Sequence, residues 1–351
     1  MTSKERLMTA LRRGKPDRVP ASVHQWQPYH LNHYLGGMSD IEAFRHFGLD
    51  ASLGRLPLIE PEDPNWLVEE IELPAPPGER MRRFRITTPE GVLEYTLGSN
   101  EITGFIIEHI IKTPRDLELW NKYVPLPKLD REALRRDYDE MGDDGIMRSS
   151  VWGDQAGPWQ HACCLMGTTQ MIMAAADDPE WVHHFLGLLW DKKERWIREN
   201  LPGAAIDLIE TGGGAASSTV ISPRYFREFC LPYDRKMHDL LHELGFPVVY
   251  HTCGGMMAML ENIVETGPDA AETLTPPGMG GDARPAELKA RIGDKVALIG
   301  GLDQSNVLEV GTKEDIRKHV HEMFEGYGPN GGYIMSPSDH FFHIRIASLK
   351  R

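Results

Sequence analysis

The stretch from residue 205 to residue 251, AIDLIETGGGAASSTVISPRYFREFCLPYDRKMHDLLHELGFPVVYH, decides how the whole chain is read. A short apolar run, Ala205–Ile209, reaches Glu210 and opens into three glycines. Ser222-Pro223 then supplies a helix cap and a proline at the first helical position. Tyr225, Phe226, Phe229, Met237, Leu240, Leu241 and Leu244 follow at mostly helical spacing, and Gly245 is a natural stop. Pro247–Tyr250 is the next strand, ending at His251.

The same grammar continues downstream. A helix near Met256–Glu265 leads to a strand at Asp269–Leu274, a helix at Pro285–Ile292 to a strand at Val296–Gly300, and a helix at Thr312–Gly326 to a strand at Gly332–Met335. Upstream, Ser3–Arg13 reads as a helix, Arg18–Val23 as a strand, Ser39–Phe47 as a helix, and Leu49–Leu53 and Ile146–Trp152 as strands. Asp178-Pro179 opens a long helix striped with Trp181, Val182, Phe185, Leu186, Leu189 and Trp190. Eight strands with intervening helices predict an α/β fold, a single (β/α)8 TIM barrel over residues 1–351. One proline-rich stretch, residues 56–110, breaks the alternation after strand two. Met81–Thr87 and Val92–Leu97 flank the turn residues Pro89, Glu90 and Gly91, so a β-hairpin insertion is expected there.

Composition narrows the function. Lys and Arg number 38 against 52 Asp and Glu, a formal charge of −14, which argues against a nucleic-acid partner. No apolar run approaches the roughly 20 residues needed to span a bilayer, and the charged start MTSKERLMTALRRGK is no signal peptide. The four cysteines, Cys163, Cys164, Cys230 and Cys253, form no CxxC or disulfide framework. A cytoplasmic setting is expected, with Cys163, Cys164 and Cys230 serving as small buried hydrophobes.

In a barrel of this kind chemistry gathers at the carboxyl ends of the strands. Those ends carry His24 and Gln25, Asp154 and Gln155, Glu210, His251 and Cys253, Glu272, Asp303, then Ser338, Asp339 and His340. Residues two apart on a strand share a side, so His251 and Cys253 would both face the mouth. Imidazole and thiolate are favoured zinc ligands, and three ligands plus one open position make a catalytic site. Glu210 is one candidate for the third; His340 and Asp339 are rivals. The alternative is that His251 hydrogen-bonds within the mouth while Cys253 is merely packed. Glu210 and Gly212–Gly214 leave room for a bulky ligand. Trp152 and Trp159, around Gly153, Asp154 and Gly157-Pro158, could wall a flat substrate or plug the core. His24, Gln25, Asp154 and Asp303 complete the expected substrate contacts. His183-His184 and His319/His321 lie in polar stretches and are expected to be solvated.

Arg18-Val19-Pro20 after a short helix, the run Val220–Phe226, the HxCGG turn 251–255 and the segment Gly331–Pro337 together resemble the uroporphyrinogen decarboxylase superfamily. Lys112–Leu117 and the hairpin before it resemble the branch outside the true decarboxylases. The resemblance implies the barrel already expected, and two activities. True decarboxylases hold substrate carboxylates with arginines in the loop after the first strand; here that loop, Ala21–His30, has none. The other branch contains zinc-dependent methyltransferases that move a methyl group from a methylated corrinoid protein to a thiol. Their HxC signature carries over to His251 and Cys253, but the later cysteine of that signature has no counterpart, since none follows Cys253. Ser338, Asp339 or His340 occupies its loop. The expectation is therefore a methyltransferase using zinc on Glu210, His251, Cys253 and His340, with a small-molecule acceptor and a corrinoid carried by a partner protein. A metal-free decarboxylase is the alternative, and a non-catalytic corrinoid- or ligand-binding barrel the third reading. Family habit suggests a homodimer, and the few residues after the last strand suggest a shortened C-terminus.

Overall fold

The computed structural model describes residues 1–153 and 155–341. Seven parallel strands lie side by side in chain order: β1 (Ala51–Gly54), β2 (Gly145–Ser150), β3 (Leu208–Gly212), β4 (Val248–His251), β5 (Ala270–Thr273), β6 (Ala297–Leu302) and β7 (Tyr333–Pro337). Residues 20–22 close the ring. The Met335 amide donates to the Pro20 carbonyl, the Ser22 amide to the Met335 carbonyl, and the Asp50 amide to the Ala21 carbonyl. The segment thus bridges β7 to the chain entering β1, and the curled sheet with its helices is a TIM barrel.

The strand expected at Arg18–Val23 is corrected to a single bridge between Ala21 and Met335. Pro20 has no amide to continue a ladder. The backbone is fastened instead by Asp50, which is fully buried. Its carboxylate accepts from Arg6 Nη1 at 2.5 Å, Arg18 Nη2 at 3.0 Å and the Ala21 amide at 3.0 Å.

The helix Ser3–Leu11 plugs the amino-terminal end of the barrel. A capping box between Thr2 and Glu5 starts it, and Leu7, Ala10 and Leu11 pack on the inward residues Ile146, Leu208, Val249, Ala270, Ala297 and Ile334. Strand alternation then dictates the next layer up: Arg148 on β2, Glu210 on β3, His251 on β4, Glu272 on β5, Ile299 on β6 and Ser336 on β7. The barrel interior changes from apolar to charged within one residue pair per strand.

Outside the sheet, the helix Pro179–Asn200 starts at its Asp178 cap and buries Val182, Phe185, Leu186, Leu189, Trp196 and Ile197. Helices Asp40–Phe47 and Lys313–Tyr327 begin at capping boxes on Ser39 and Thr312, and Pro285–Ile292 forms as expected. The helix expected over Met256–Glu265 is shorter, Leu260–Glu265. The less periodic first half holds helices not anticipated from sequence, at Pro28–Tyr34, Pro114–Tyr123, Arg131–Met141, Pro158–Met166 and Thr168–Asp177.

The expected hairpin is the middle of a larger element. Arg80–Thr88 and Gly91–Ser99 pair in register, and Leu67–Leu73 and Gly104–Glu108 add an antiparallel strand on either side. Among the described residues no helix is long and apolar enough to cross a membrane.

Replacing Asp50 with Ala takes one of two carboxylates from the buried Arg6 guanidinium, which keeps Asp17, and frees the Ala21 amide. A loss of about 3–5 kcal/mol is expected, read as a lowered urea midpoint. An unchanged midpoint would show that this carboxylate does not fasten the ring.

Candidate functional site

The charged layer converges on one histidine. Registry sets His251 beside Glu272 on the next strand and beside Gly212 on the previous one. Gly212 has φ +90°, and a Cβ there would lie 2.4 Å from the His251 carbonyl oxygen. Only glycine lets β3 and β4 approach this closely while the chain turns away.

Arg148 is the hub. Its Nη2 donates to Glu210 Oε2 at 2.8 Å and to Glu272 Oε1 at 2.6 Å. Burial works against its charge, but the two carboxylates outweigh burial and raise its pKa. Glu272 is 1% exposed, and burial would favour its neutral form. Arg148, His24 and His251 reverse that preference and hold its pKa well below the usual carboxylate range.

A carboxylate only accepts, so the 2.9 Å contact between His251 Nδ1 and Glu272 Oε1 fixes the proton on Nδ1. Nε2 then faces Cys253 Sγ at 2.9 Å. Burial opposes a charged His251 ring, but Cys253, Glu272 and Glu210 prevail and raise its pKa well above the ordinary imidazole value. His24 behaves oppositely. Burial, Arg148, His251 and His340 together outweigh Glu272 and lower its pKa well below the usual value. Its ring centroid lies 5.2 Å from His251 and 4.9 Å from His340, whose own pKa is lowered, first by burial.

Two places could take a cation. Ligand atoms of His24, Glu210, His251 and Glu272 lie within 4.8 Å of one another. That oxygen-rich set already contains the Arg148 cation at hydrogen-bond distance, which leaves little unmet charge for a divalent ion. The His251 Nε2 edge is different. It meets a soft sulfur donor, and its opposite nitrogen is anchored on a carboxylate, the arrangement that orients metal-binding histidines. The donor types here, imidazole and thiol, are ones zinc favours, but among the described residues only His251 and Cys253 meet at this edge, and the expected ligand His340 stands beside His24 instead. Glu210 sits 3.6 Å from Nδ1, the edge opposite the sulfur, and is held by Arg148.

The remaining expected residues divide. His24 joins the cluster, although expected as a substrate contact, and Gln25 is exposed. Asp303 is buried as a cap, accepting from the Asn306 amide at 2.8 Å and from the Asn306 side chain. Asp154 lies outside the described residues. Trp159 is 1% exposed, donates to the Ala215 carbonyl and stacks on Phe229, so it packs in the core. Trp152 turns aside to stack on Trp120. Cys163 and Cys230 are buried as expected, whereas Cys164 is half-buried. His183 is not simply solvated but bonds Tyr233 Oη at 3.0 Å, and His319 Nε2 accepts the Asp303 amide at 3.1 Å. Arg148 was not anticipated. Its signal was a charged residue at the same parity as Ile146 within a buried strand.

Comparison with known proteins agrees with this architecture. The model of the uroporphyrinogen decarboxylase (URO-D) family matches residues 84–342, and the chain belongs to that family. It is 31% identical over 201 residues to the uroporphyrinogen decarboxylase of Hydrogenovibrio crunogenus, covering 54% of this chain and 53% of that protein. With the uroporphyrinogen decarboxylase of Aliivibrio fischeri it shares 33% identity over 206 residues, 55% of this chain and 54% of the relative. The match thus spans about half the length of these relatives. Among solved structures it resembles a methyltransferase from Methanosarcina mazei at TM-score 0.64, with 16% identity, over 97% of this chain and 94% of that one. That likeness is one of fold.

Arg148→Met tests the hub. Glu210 and Glu272 would lose their shared cation inside the barrel, and a loss of about 3–5 kcal/mol is expected. The double variant Arg148→Met/Glu272→Leu should recover part of it in urea titrations. Equal stability of wild type and Arg148→Met would contradict the assignment.

Proposed function

We propose that this protein is a zinc-dependent methyltransferase that passes a methyl group from a methylated corrinoid, carried by a partner protein, to a thiol acceptor. The observation that supports it is the His251–Cys253 contact with Nδ1 anchored on Glu272. His251 and Cys253 would hold the zinc, with His24 or His340 as a further donor, and the metal would supply the charge that keeps an acceptor thiol ionised at neutral pH. The chain's own residues do the rest. Glu272 keeps a proton on Nδ1, so Nε2 is the nitrogen that faces the sulfur and would give up its proton to a metal. Arg148 keeps Glu272 ionised. Gly214 leaves space above the sulfur, since a Cβ there would reach to 3.9 Å from Sγ.

The tetrapyrrole substrate of the relatives' name fits this mouth poorly. A polycarboxylate needs free cations. The loop Ala21–His30 has no arginine or lysine, and Arg148 is already bound by two carboxylates. Metal-free decarboxylation keeps one observation in its favour: with His251 protonated, the charges of Arg148, His251, Glu210 and Glu272 cancel without any ion.

Purified protein should carry or take up one zinc per chain and accelerate demethylation of methylcobalamin by small thiols, followed by absorbance. Cys253→Ala should lose the metal and the activity with an unchanged circular dichroism spectrum. Glu272→Gln should weaken zinc binding by about 10–100-fold. A folded protein without zinc affinity would remove the proposal, and turnover of uroporphyrinogen would replace it with decarboxylation.

A further inference from the structure

A second cavity lies away from the His251 layer, between the antiparallel sheet and the barrel. Its volume is about 310 Å³, near the lower end for small-molecule sites. Trp66 and Tyr95 line it from the sheet side, Trp120, Trp152 and His161 from the barrel side. Trp120 and Trp152 are stacked, with centroids 6.2 Å apart and planes 6° from parallel. His161 stands edge-on to both, at 5.9 and 5.2 Å and at 82° and 88°. Val68 and Ile106, at the rim, are 53% and 39% exposed.

The polar inventory is short. Glu108 is engaged by Lys112 and by the Thr96 hydroxyl. His161 is 6% exposed, and its Nδ1 is buried with no hydrogen-bond partner among the described residues. Gly153 pins the ring, because a Cβ there would lie 2.3 Å from Nδ1. Burial, and then Lys193, lower the His161 pKa well below the usual value, so the ring is neutral. A buried polar atom with no partner is costly in a finished core.

We propose that this cavity is a binding site for a small, uncharged, planar aromatic molecule carrying one hydrogen-bonding substituent, stacked among Trp66, Tyr95, Trp120 and Trp152 and bonded to His161. Aromatic walls favour a ring with a π face over a saturated one of equal bulk. The site is independent of zinc and of methyl transfer. It nonetheless adjoins the mouth through one loop: Trp152 lines the cavity, Gln155 Oε1 accepts the Gly214 amide at 3.4 Å, and Gly157 donates to the Gly212 carbonyl.

Isothermal titration of the intact protein with 2-naphthol and with its saturated counterpart, decahydro-2-naphthol, tests this. Saturable one-to-one binding of 2-naphthol is expected, about 10-fold tighter than that of the saturated alcohol. Trp152→Leu should weaken it by a similar factor, and His161→Phe should weaken both alcohols, which carry the same hydroxyl, while keeping the preference for 2-naphthol. Thermal melts of both variants establish that they are folded. Cys253→Ala should bind 2-naphthol as the wild type does, whatever the fate of zinc. The proposal is overturned if the two alcohols bind alike, if the folded Trp152→Leu variant binds unchanged, or if Cys253→Ala abolishes binding.

Discussion

Two carboxylates close together in one barrel, Glu272 buried and Glu210 half-buried, would repel each other and cost several kcal/mol in desolvation. Arg148 makes them compatible. One nitrogen of its guanidinium reaches both Glu210 and Glu272, so β2, β3 and β5 are tied at one height. Glu272 in turn fixes the proton of His251 on β4. Four consecutive strands thereby share a charged layer directly above an apolar floor formed with Leu7 and Leu11. The chemistry of the mouth rests on that layer being held in place.

Much of the barrel is legible in the sequence because parallel strands covered on both faces read as short apolar runs between turn signals. The strands from β3 to β7 lie where such runs predict them, within a few residues, and Asp178, Ser39 and Thr312 cap the helices they introduce. Elsewhere the code is weaker. Arg18–Val23 looks like a strand by composition, but a strand that consists of one bridge is specified by Asp50 and two arginines far apart in sequence. Leu67–Leu73 carries three glutamates, two of them adjacent, so it shows no clean alternation, and its pairing depends on Arg80–Thr88 turning back along it. Arg131–Met141 is so polar, with only Leu134 and Met141 buried, that it offers no apolar stripe to read, and Thr168–Asp177 buries only Met171 and Ala175.

The site divides along the same line. His251 and Cys253 are two residues apart, and strand parity alone brings them to one side. Glu272 is visible only as a polar strand end until registry sets it against His251. Arg148 is hidden further. A charged residue in an apolar run looks like an outward one until the parity of Ile146 assigns it to the interior. Trp152 and Trp159 show the limit of motif reading. Seven residues apart around the same glycines, one is packed against Phe229 and the other borders a cavity.

The His251 Nε2 to Cys253 Sγ vector connects the two chemistries considered for this barrel. Without an ion, a proton lies between nitrogen and sulfur, and the rising His251 pKa reflects that partnership as well as the carboxylates behind the ring. A divalent ion would take the place of that proton, because both donors present lone pairs to the same point once Nδ1 is committed to Glu272. Metal binding on this edge would therefore compete with protons, acid favouring the empty pair and neutral pH the ion. Arg148 biases that contest from below. By keeping Glu272 ionised it strengthens His251 as a donor, and by neutralising Glu210 it leaves the sulfur side as the place where an added positive charge is best accommodated.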